Sequence, residues 1–407
     1  MAHSKSTRRI YLDNAATSWP KPECVYEAVD GYQREIGAPS GRSGSRAAEG
    51  ANRIVERARK AIADLVGQED SNRVIFTSSG TDSLNLAIRG IVRPGKHVVT
   101  TMCEHNSVLR PLRYLRDHCQ VDVSCVSCDQ AGFVSPEAIL RALQPNTSLV
   151  ALVHGSNVTG AIQPVNEIGT LVHDRGALFL IDAAQTLGHE PLSLIESHAD
   201  LIAAPGHKGL LGPLGTGVLI LGKNVEQFLE PLRLGGTGTN SESDQQPGEL
   251  PYRYESGNLN IPGLAGLAAA LDFLLEQGVS KLQTHHRQLA TKLLEGLEEI
   301  PGITIYGPRA DQPRTSVVSF TVAGYDPQEL AVALEMSAGI ECRAGMHCAP
   351  RMHESLGTGA SGGTVRLSPG WATTLEEIDA TLKAIAEIAS PTKTRIDSFR
   401  PDRKLHG

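Results

Sequence analysis

Asp182 closes the apolar run Leu178-Phe-Leu-Ile-Asp182, and Lys208 lies in Ala203-Ala-Pro-Gly-His-Lys-Gly209, a Gly- and Pro-bounded loop after another apolar run. Taken singly, an Asp after a strand commonly caps a helix, and a loop lysine is commonly only solvated. Together they suit one chemistry. An amine that condenses with an aldehyde, and a carboxylate that keeps a pyridine nitrogen protonated, are what pyridoxal 5′-phosphate (PLP) requires of a protein. Phe76-Thr-Ser-Ser-Gly-Thr-Asp-Ser-Leu-Asn85 reads as strand, small-residue turn and helix start. The backbone amides and dipole of such a start can cradle a phosphate. Gly80 lets the backbone approach closely and Thr81 adds a hydroxyl. The chain has neither G-x-x-x-x-G-K-[ST] nor a well-placed G-x-G-x-x-G, so nucleotide-binding readings lack their fingerprints.

Further residues gain meaning from this company. His105, in Cys103-Glu-His-Asn106, follows a strand at a place where an imidazole can stack on a pyridine ring. Asn157, in Gly155-Ser-Asn-Val-Thr-Gly160, offers an amide donor at a strand end. Arg366 sits inside the short apolar strand Gly363-Thr-Val-Arg-Leu-Ser368, where an unpaired charge is costly. A carboxylate-bearing ligand would offset that cost through a bidentate pair. Cys348, in Gly345-Met-His-Cys-Ala-Pro350, is flanked by Gly and Pro, which points to a loop thiol within reach of a ligand rather than an inert core cysteine. Cys125-x-x-Cys128 has no second Cys or His pair and lies in an alternating strand-like run, so it reads as structural. No metal site is expected.

The elements that carry these residues alternate. Apolar runs at Arg73–Thr77, His97–Thr101, Ser148–Val153, Leu178–Ile181, Leu201–Ala204 and Gly217–Leu221 predict buried strands. Amphipathic stretches at Asn52–Val66, Ser83–Ile91, Pro136–Ala142 and Val165–Asp174 predict helices between them. This is an α/β pattern with a mostly parallel sheet covered on both faces, whose ligand sites gather beyond the strands' carboxyl ends. From about Pro262 the pattern becomes helices at Ala265–Gln277 and Leu282–Glu299, short strands at Thr304–Tyr306 and Ser316–Val322, and helices at Pro327–Ser337 and Leu375–Ala389. It predicts a large domain over 1–262, a smaller α+β domain over 263–390 carrying Cys348 and Arg366, and a mobile tail over 391–407. The N-terminal segment is expected to pack on the smaller domain. Gly235–Pro251 reads as a long, polar, Gly-rich surface loop.

A length of 407 residues suits two unequal domains, and a net charge of −7 argues against general nucleic-acid binding. The seven scattered cysteines suggest reduced thiols in a cytoplasm, and neither a secretory signal nor a membrane span is expected.

Read together, Asp182-Ala-Ala-Gln185, Gly206-His-Lys208, Ser79-Gly-Thr81 and Glu104-His105 resemble the class V, fold type I PLP-dependent transferases. Tyr11-Leu-Asp-Asn-Ala-Ala-Thr17, Ser156-Asn-Val-Thr-Gly160 and Arg343-Ala-Gly-Met-His-Cys-Ala-Pro350 resemble the cysteine desulfurases within that class. The short form of the last motif is similar to the group II branch, which includes selenocysteine lyase-like enzymes. The resemblance runs from about Ile10 to Ala389. It implies Lys208 as Schiff-base lysine, Asp182 at the pyridinium nitrogen, His105 stacked on the ring and Gln185 at its phenolic oxygen. Gly80, Thr81 and His207 would hold the phosphate, Asn157 and Arg366 the carboxylate of L-cysteine or L-selenocysteine, and Cys348 would receive the sulfur as a persulfide. It also implies a homodimer with sites at the subunit boundary and a sulfur-acceptor protein. Thiolate character at Cys348 is expected from His347 or Arg343.

Three positions depart from the family pattern. Pro205 stands where a phosphate-binding Ser or Thr is usual, and Asn258 where a Thr usually reaches the partner's phosphate. Ser45 replaces a histidine near the Gly-Arg-Ser-Gly stretch.

Overall fold

The computed structural model describes residues 9–41, 44–239 and 242–390. The expected tail over 391–407 lies outside them. The chain enters through strand β1 (Ile10–Tyr11) and helices α1 (Glu23–Gly31) and α2 (Arg46–Val66). Seven strands follow: β2 (Val74–Thr77), β3 (His97–Thr101), β4 (Asp122–Val126), β5 (Thr147–Val153), β6 (Leu178–Asp182), β7 (Leu201–Pro205) and β8 (Gly217–Leu221). Between them lie α3 (Gly80–Ile91), α4 (Asn106–His118), α5 (Pro136–Ala142) and α6 (Val165–His173).

These strands form one sheet in the order β2-β8-β7-β6-β5-β3-β4, parallel throughout except for β8, which runs against both neighbours. Successive residues divide between two cores, one on each face: Ile75 against Phe76, Val98 against Val99, Leu180 against Ile181 and Leu219 against Ile220. That double burial is why the strands read as unbroken apolar runs instead of alternating ones. The crossovers leave the exits of β2, β3, β5, β6 and β7 on one edge, the edge where such sheets hold ligands.

Beyond the sheet come α7 (Ile261–Gln277) and α8 (Val279–Glu298). Then follow β9 (Ile303–Tyr306), β10 (Val318–Val322), α9 (Pro327–Ala338), β11 (Ile340–Glu341), β12 (Arg343–Gly345), α10 (Pro350–Ser355), β13 (Thr364–Leu367) and α11 (Leu375–Ala389). An antiparallel sheet ordered β12-β13-β10-β9 packs on a third core that includes Leu289, Leu293, Phe320, Leu330 and Ile378. Helix α8 is shared, since Leu282 belongs with the first core and Leu289 with the third. The chain's beginning joins this later part, with β1 pairing in parallel with β11 and Asp13 bridging to Ser368.

Helix α2 starts at Arg46, ahead of the expected Asn52, because Ser45 caps it by accepting from the Ala48 amide. So Ser45 has a capping role of its own. Helix α4 was not anticipated: Pro111 sits inside it, a residue that ordinarily argues against a helix. Among the described residues, no helix is long and apolar enough to cross a membrane.

Candidate active site

Asp182 ends β6 and is 3% exposed; its Oδ1 accepts from the Ala184 amide at 3.0 Å. It therefore closes a local Asx turn rather than capping a helix. Burial pushes its carboxyl up, opposed by that amide and by the Lys208 charge. Lys208 lies just past β7, walled by protein while keeping some solvent contact. Burial lowers its amine to about 8; Arg366 and Arg343 add to this and Asp182 opposes it. Gln185 and Lys208 line the same small cavity of about 40 Å³, and Gln185 Nε2 donates to the Ala15 carbonyl at 2.9 Å.

Ser79 caps α3 by accepting from the Asp82 amide at 3.1 Å, while the amides of Gly80 and Thr81 open the helix without intrahelical partners. A Cβ on Gly80 would stand 2.9 Å from Pro205 Cδ, so glycine is what lets the helix start lie against that proline. Two residues past Pro205, the buried Nδ1 of His207 has no hydrogen-bond partner among the described residues, and burial lowers this imidazole to about 4. The His207 carbonyl accepts from Thr17 Oγ1, the Ser18 amide and Lys21 Nζ, so the N-terminal segment fixes the Lys208 loop. An open helix start, with an orphaned ring nitrogen two residues past the proline that faces it, fits an anionic group such as a phosphate.

His105 caps α4, its Nδ1 accepting from the Ser107 amide at 3.1 Å, and Ser107 Oγ meets Thr81 Oγ1 at 2.8 Å. Burial, then the charges of Lys208 and Arg343, lower this imidazole to about 4, so it is neutral near pH 7. Thr81, His105 and Cys348 line one cavity of about 620 Å³.

Cys348 lies between β12 and α10 with φ +58°, and His347 before it has φ +46°. Left-handed backbone at two consecutive non-glycine residues is strained and persists only where the surroundings hold it. Here Asn157 Nδ2 donates to the His347 carbonyl at 2.6 Å and the Asn106 amide to the Cys348 carbonyl at 2.8 Å. Arg343 Nη2 lies 3.6 Å from Cys348 Sγ.

Two expectations change. His347 gives Cys348 no positive charge: its Nε2 faces the Thr364 carbonyl and hydroxyl, and burial lowers it to about 2. Of the two expected cations, Arg343 alone faces the thiol. Arg366 is not an unpaired charge awaiting a ligand, because Nη2 meets Asp13 Oδ1 at 2.5 Å and Nη1 donates to the Asn157 carbonyl at 3.1 Å; only Nε is buried without a partner. One N–H of the Asn157 amide is engaged by the thiol loop, at the His347 carbonyl. Asn258 stands apart, exposed on the loop after Glu255, and no hydrogen bond among the described residues joins it to the others. In the sequence, Asp13 and Glu104 stand out only as members of the motifs that contain them.

The class-V aminotransferase profile matches residues 10–381. The chain belongs to that family. The class-V aminotransferases and the cysteine desulfurases among them are generally PLP-dependent. A probable cysteine desulfurase of Methanothermobacter thermautotrophicus is 38% identical over 93% of this chain and 94% of its own. A cysteine desulfurase IscS of Dictyoglomus turgidum is 28% identical over 98% of this chain and 99% of its own. The solved apo cysteine desulfurase of Thermococcus onnurineus NA1 superposes with a TM-score of 0.88 at 34% identity, covering 94% of each chain. The class-V reading thus stands on sequence and on fold.

Proposed function

We propose that this chain is a PLP-dependent cysteine desulfurase that converts L-cysteine to L-alanine and carries the sulfur as a persulfide on Cys348. The observation that carries the reading is that Cys348 opens, beside Arg343, into the cavity that His105 and Thr81 also line. Lys208 would hold the cofactor through its amine, Asp182 would face the ring nitrogen, His105 the ring face and Gln185 the phenolic oxygen. Gly80, Thr81 and His207 would take the phosphate, with Asn258 reaching the partner's site in a homodimer. When bound, the cofactor withdraws electrons from the substrate's Cα.

The rest is the work of side chains. Arg366, through its unpartnered Nε, and Asn157 orient the substrate carboxylate. Lys208, with an amine lowered to about 8, takes the Cα proton near neutral pH. Cys348 as thiolate attacks the substrate sulfur; the S–S bond forms as the S–Cβ bond breaks, its electron pair stays with Cβ, which takes a proton to become the methyl group of alanine, and the persulfide on Cys348 passes its outer sulfur to an acceptor protein or thiol. The large and small domains proposed over 1–262 and 263–390 would meet at this cavity.

The test is brief exposure of the purified chain to L-cysteine. Alanine release together with one extra sulfur on Cys348 by mass spectrometry is expected. Alanine release with no sulfur on Cys348 overturns the persulfide step in favour of a thiol-free lyase.

A further inference from the structure

Glu104 is fully buried beside His105, and the chemistry proposed above makes no use of it. Its Oε1 accepts from Thr101 Oγ1 at 2.7 Å and from the Val153 amide at 3.1 Å, which ties the exit of β3 to the end of β5. Its Oε2 is buried and has no hydrogen-bond partner among the described residues. The titratable groups that face it are Asp182 at the end of β6, Cys103 before it in the chain and Cys125 on β4. None of them can be a cation.

A carboxylate anion here would leave Oε2 without a donor, in an interior of low dielectric, near a second carboxylate. The unionised acid costs less, because an unpartnered neutral hydroxyl is a smaller penalty than an unpartnered charged oxygen. Its carbonyl oxygen is Oε1, which takes both donors, and its hydroxyl is Oε2. We infer that Glu104 is carried as a neutral carboxylic acid and acts as a positioning residue, pinning the turn that presents His105 onto β5 while leaving the negative charge of the site floor to Asp182. The part played beside Asp182 rests on the desulfurase reading; the protonation of Glu104 does not.

Burial acts in the same direction, raising this carboxyl from 4.5 to about 8. The sign for stability follows. Between those values the folded chain holds a proton that the unfolded chain has released, so this group's contribution falls as pH rises and levels off above about 8.

Difference infrared spectra of the purified full chain, wild type minus Glu104→Gln, test the proton directly. An unionised carboxylic-acid carbonyl stretch above the amide band is expected in the wild type at neutral pH and is lost in the variant. Its absence from the wild type overturns the inference. Gln keeps the two accepted bonds and cannot ionise, so the melting temperature of Glu104→Gln is expected to gain on the wild type between about pH 5 and about pH 8. A constant gap counts against the inference. Turnover of cysteine by Glu104→Gln should stay within about twofold of wild type, whereas Glu104→Ala, which frees the His105 turn, should lose more than about tenfold. A tenfold loss in Glu104→Gln at unchanged melting temperature would mean that the proton takes part in the reaction, which overturns the positioning role. Should Glu104→Gln fail to fold, titration of the infrared band in wild type labelled at glutamate decides alone: the band must persist to about pH 8. The infrared arm needs neither cofactor nor substrate, so its failure is separable from failure of the desulfurase reading.

Discussion

Asp182 and Lys208 stand just beyond neighbouring strands of a sheet covered on both faces, whereas Cys348 stands in a short connection between β12 and α10. Asp182 is placed by strand register, opposite Ala203 across β6 and β7, and Lys208 by a loop that the N-terminal segment clamps at the His207 carbonyl. The thiol is placed by a strained backbone and by two hydrogen bonds from Asn157 and Asn106. One region is rigid because moving it would shift a packed sheet. The other is held by a few polar contacts that a ligand or partner can rearrange. The sheet edge and the thiol loop are therefore held by different means, and substitutions should affect them separately.

The strongest test of that separation is Lys208→Ala. It should abolish the visible absorbance of lysine-bound cofactor and turnover of every amino acid, leaving the thiol loop untouched. A variant that still shows the band would mean that another lysine holds the cofactor. Cys348→Ala should do the reverse: full cofactor absorbance and a spectral change with cysteine, yet almost no alanine from it. Selenium leaves more readily than sulfur, so alanine release from selenocysteine should fall much less. Equal losses on both substrates would show that loop and floor do not act separately. Arg343→Gln should slow sulfur transfer about tenfold, the worth of one charge-assisted contact near 1.5 kcal/mol, with cofactor affinity unchanged. Single-turnover persulfide formation measures it. The smallest effect is expected at the exposed Asn258. Asn258→Thr should tighten PLP binding roughly fivefold, about 1 kcal/mol for one hydrogen bond, as read by cofactor titration of the apo chain. An unchanged dissociation constant would mean that the amide already serves.

The same contrast governs what the sequence disclosed. Asp182, Lys208, Thr81 and His105 follow apolar runs, so the strand pattern alone puts them on one edge of a sheet. Residues 343–350 show a thiol in a loop but not which cation turns toward it. His347, adjacent in sequence, turns away to Thr364, while Arg343 reaches Sγ across the turn. That choice depends on left-handed backbone at two non-glycine residues, which residue preferences oppose. The partner of Arg366 was hidden for a different reason, since Asp13 lies 353 positions away and no periodicity spans that distance. Helix α4 was masked by Pro111 and Glu104 by its ordinary place beside a histidine.

The Asp13–Arg366 pair also bears on how the molecule is made. Asp13 leaves the ribosome well ahead of the cation it neutralises, which is added 353 positions later. At ~5–20 residues per second, the nascent chain carries its first part for roughly 20–70 s before that cation exists. The segment that clamps the His207 carbonyl and pairs with β11 must wait in the same way. Any chain released before Arg366 lacks the Asp13–Arg366 pair however well its large sheet has formed, and a ribosome-stalled series should acquire cofactor binding and cysteine turnover at different lengths.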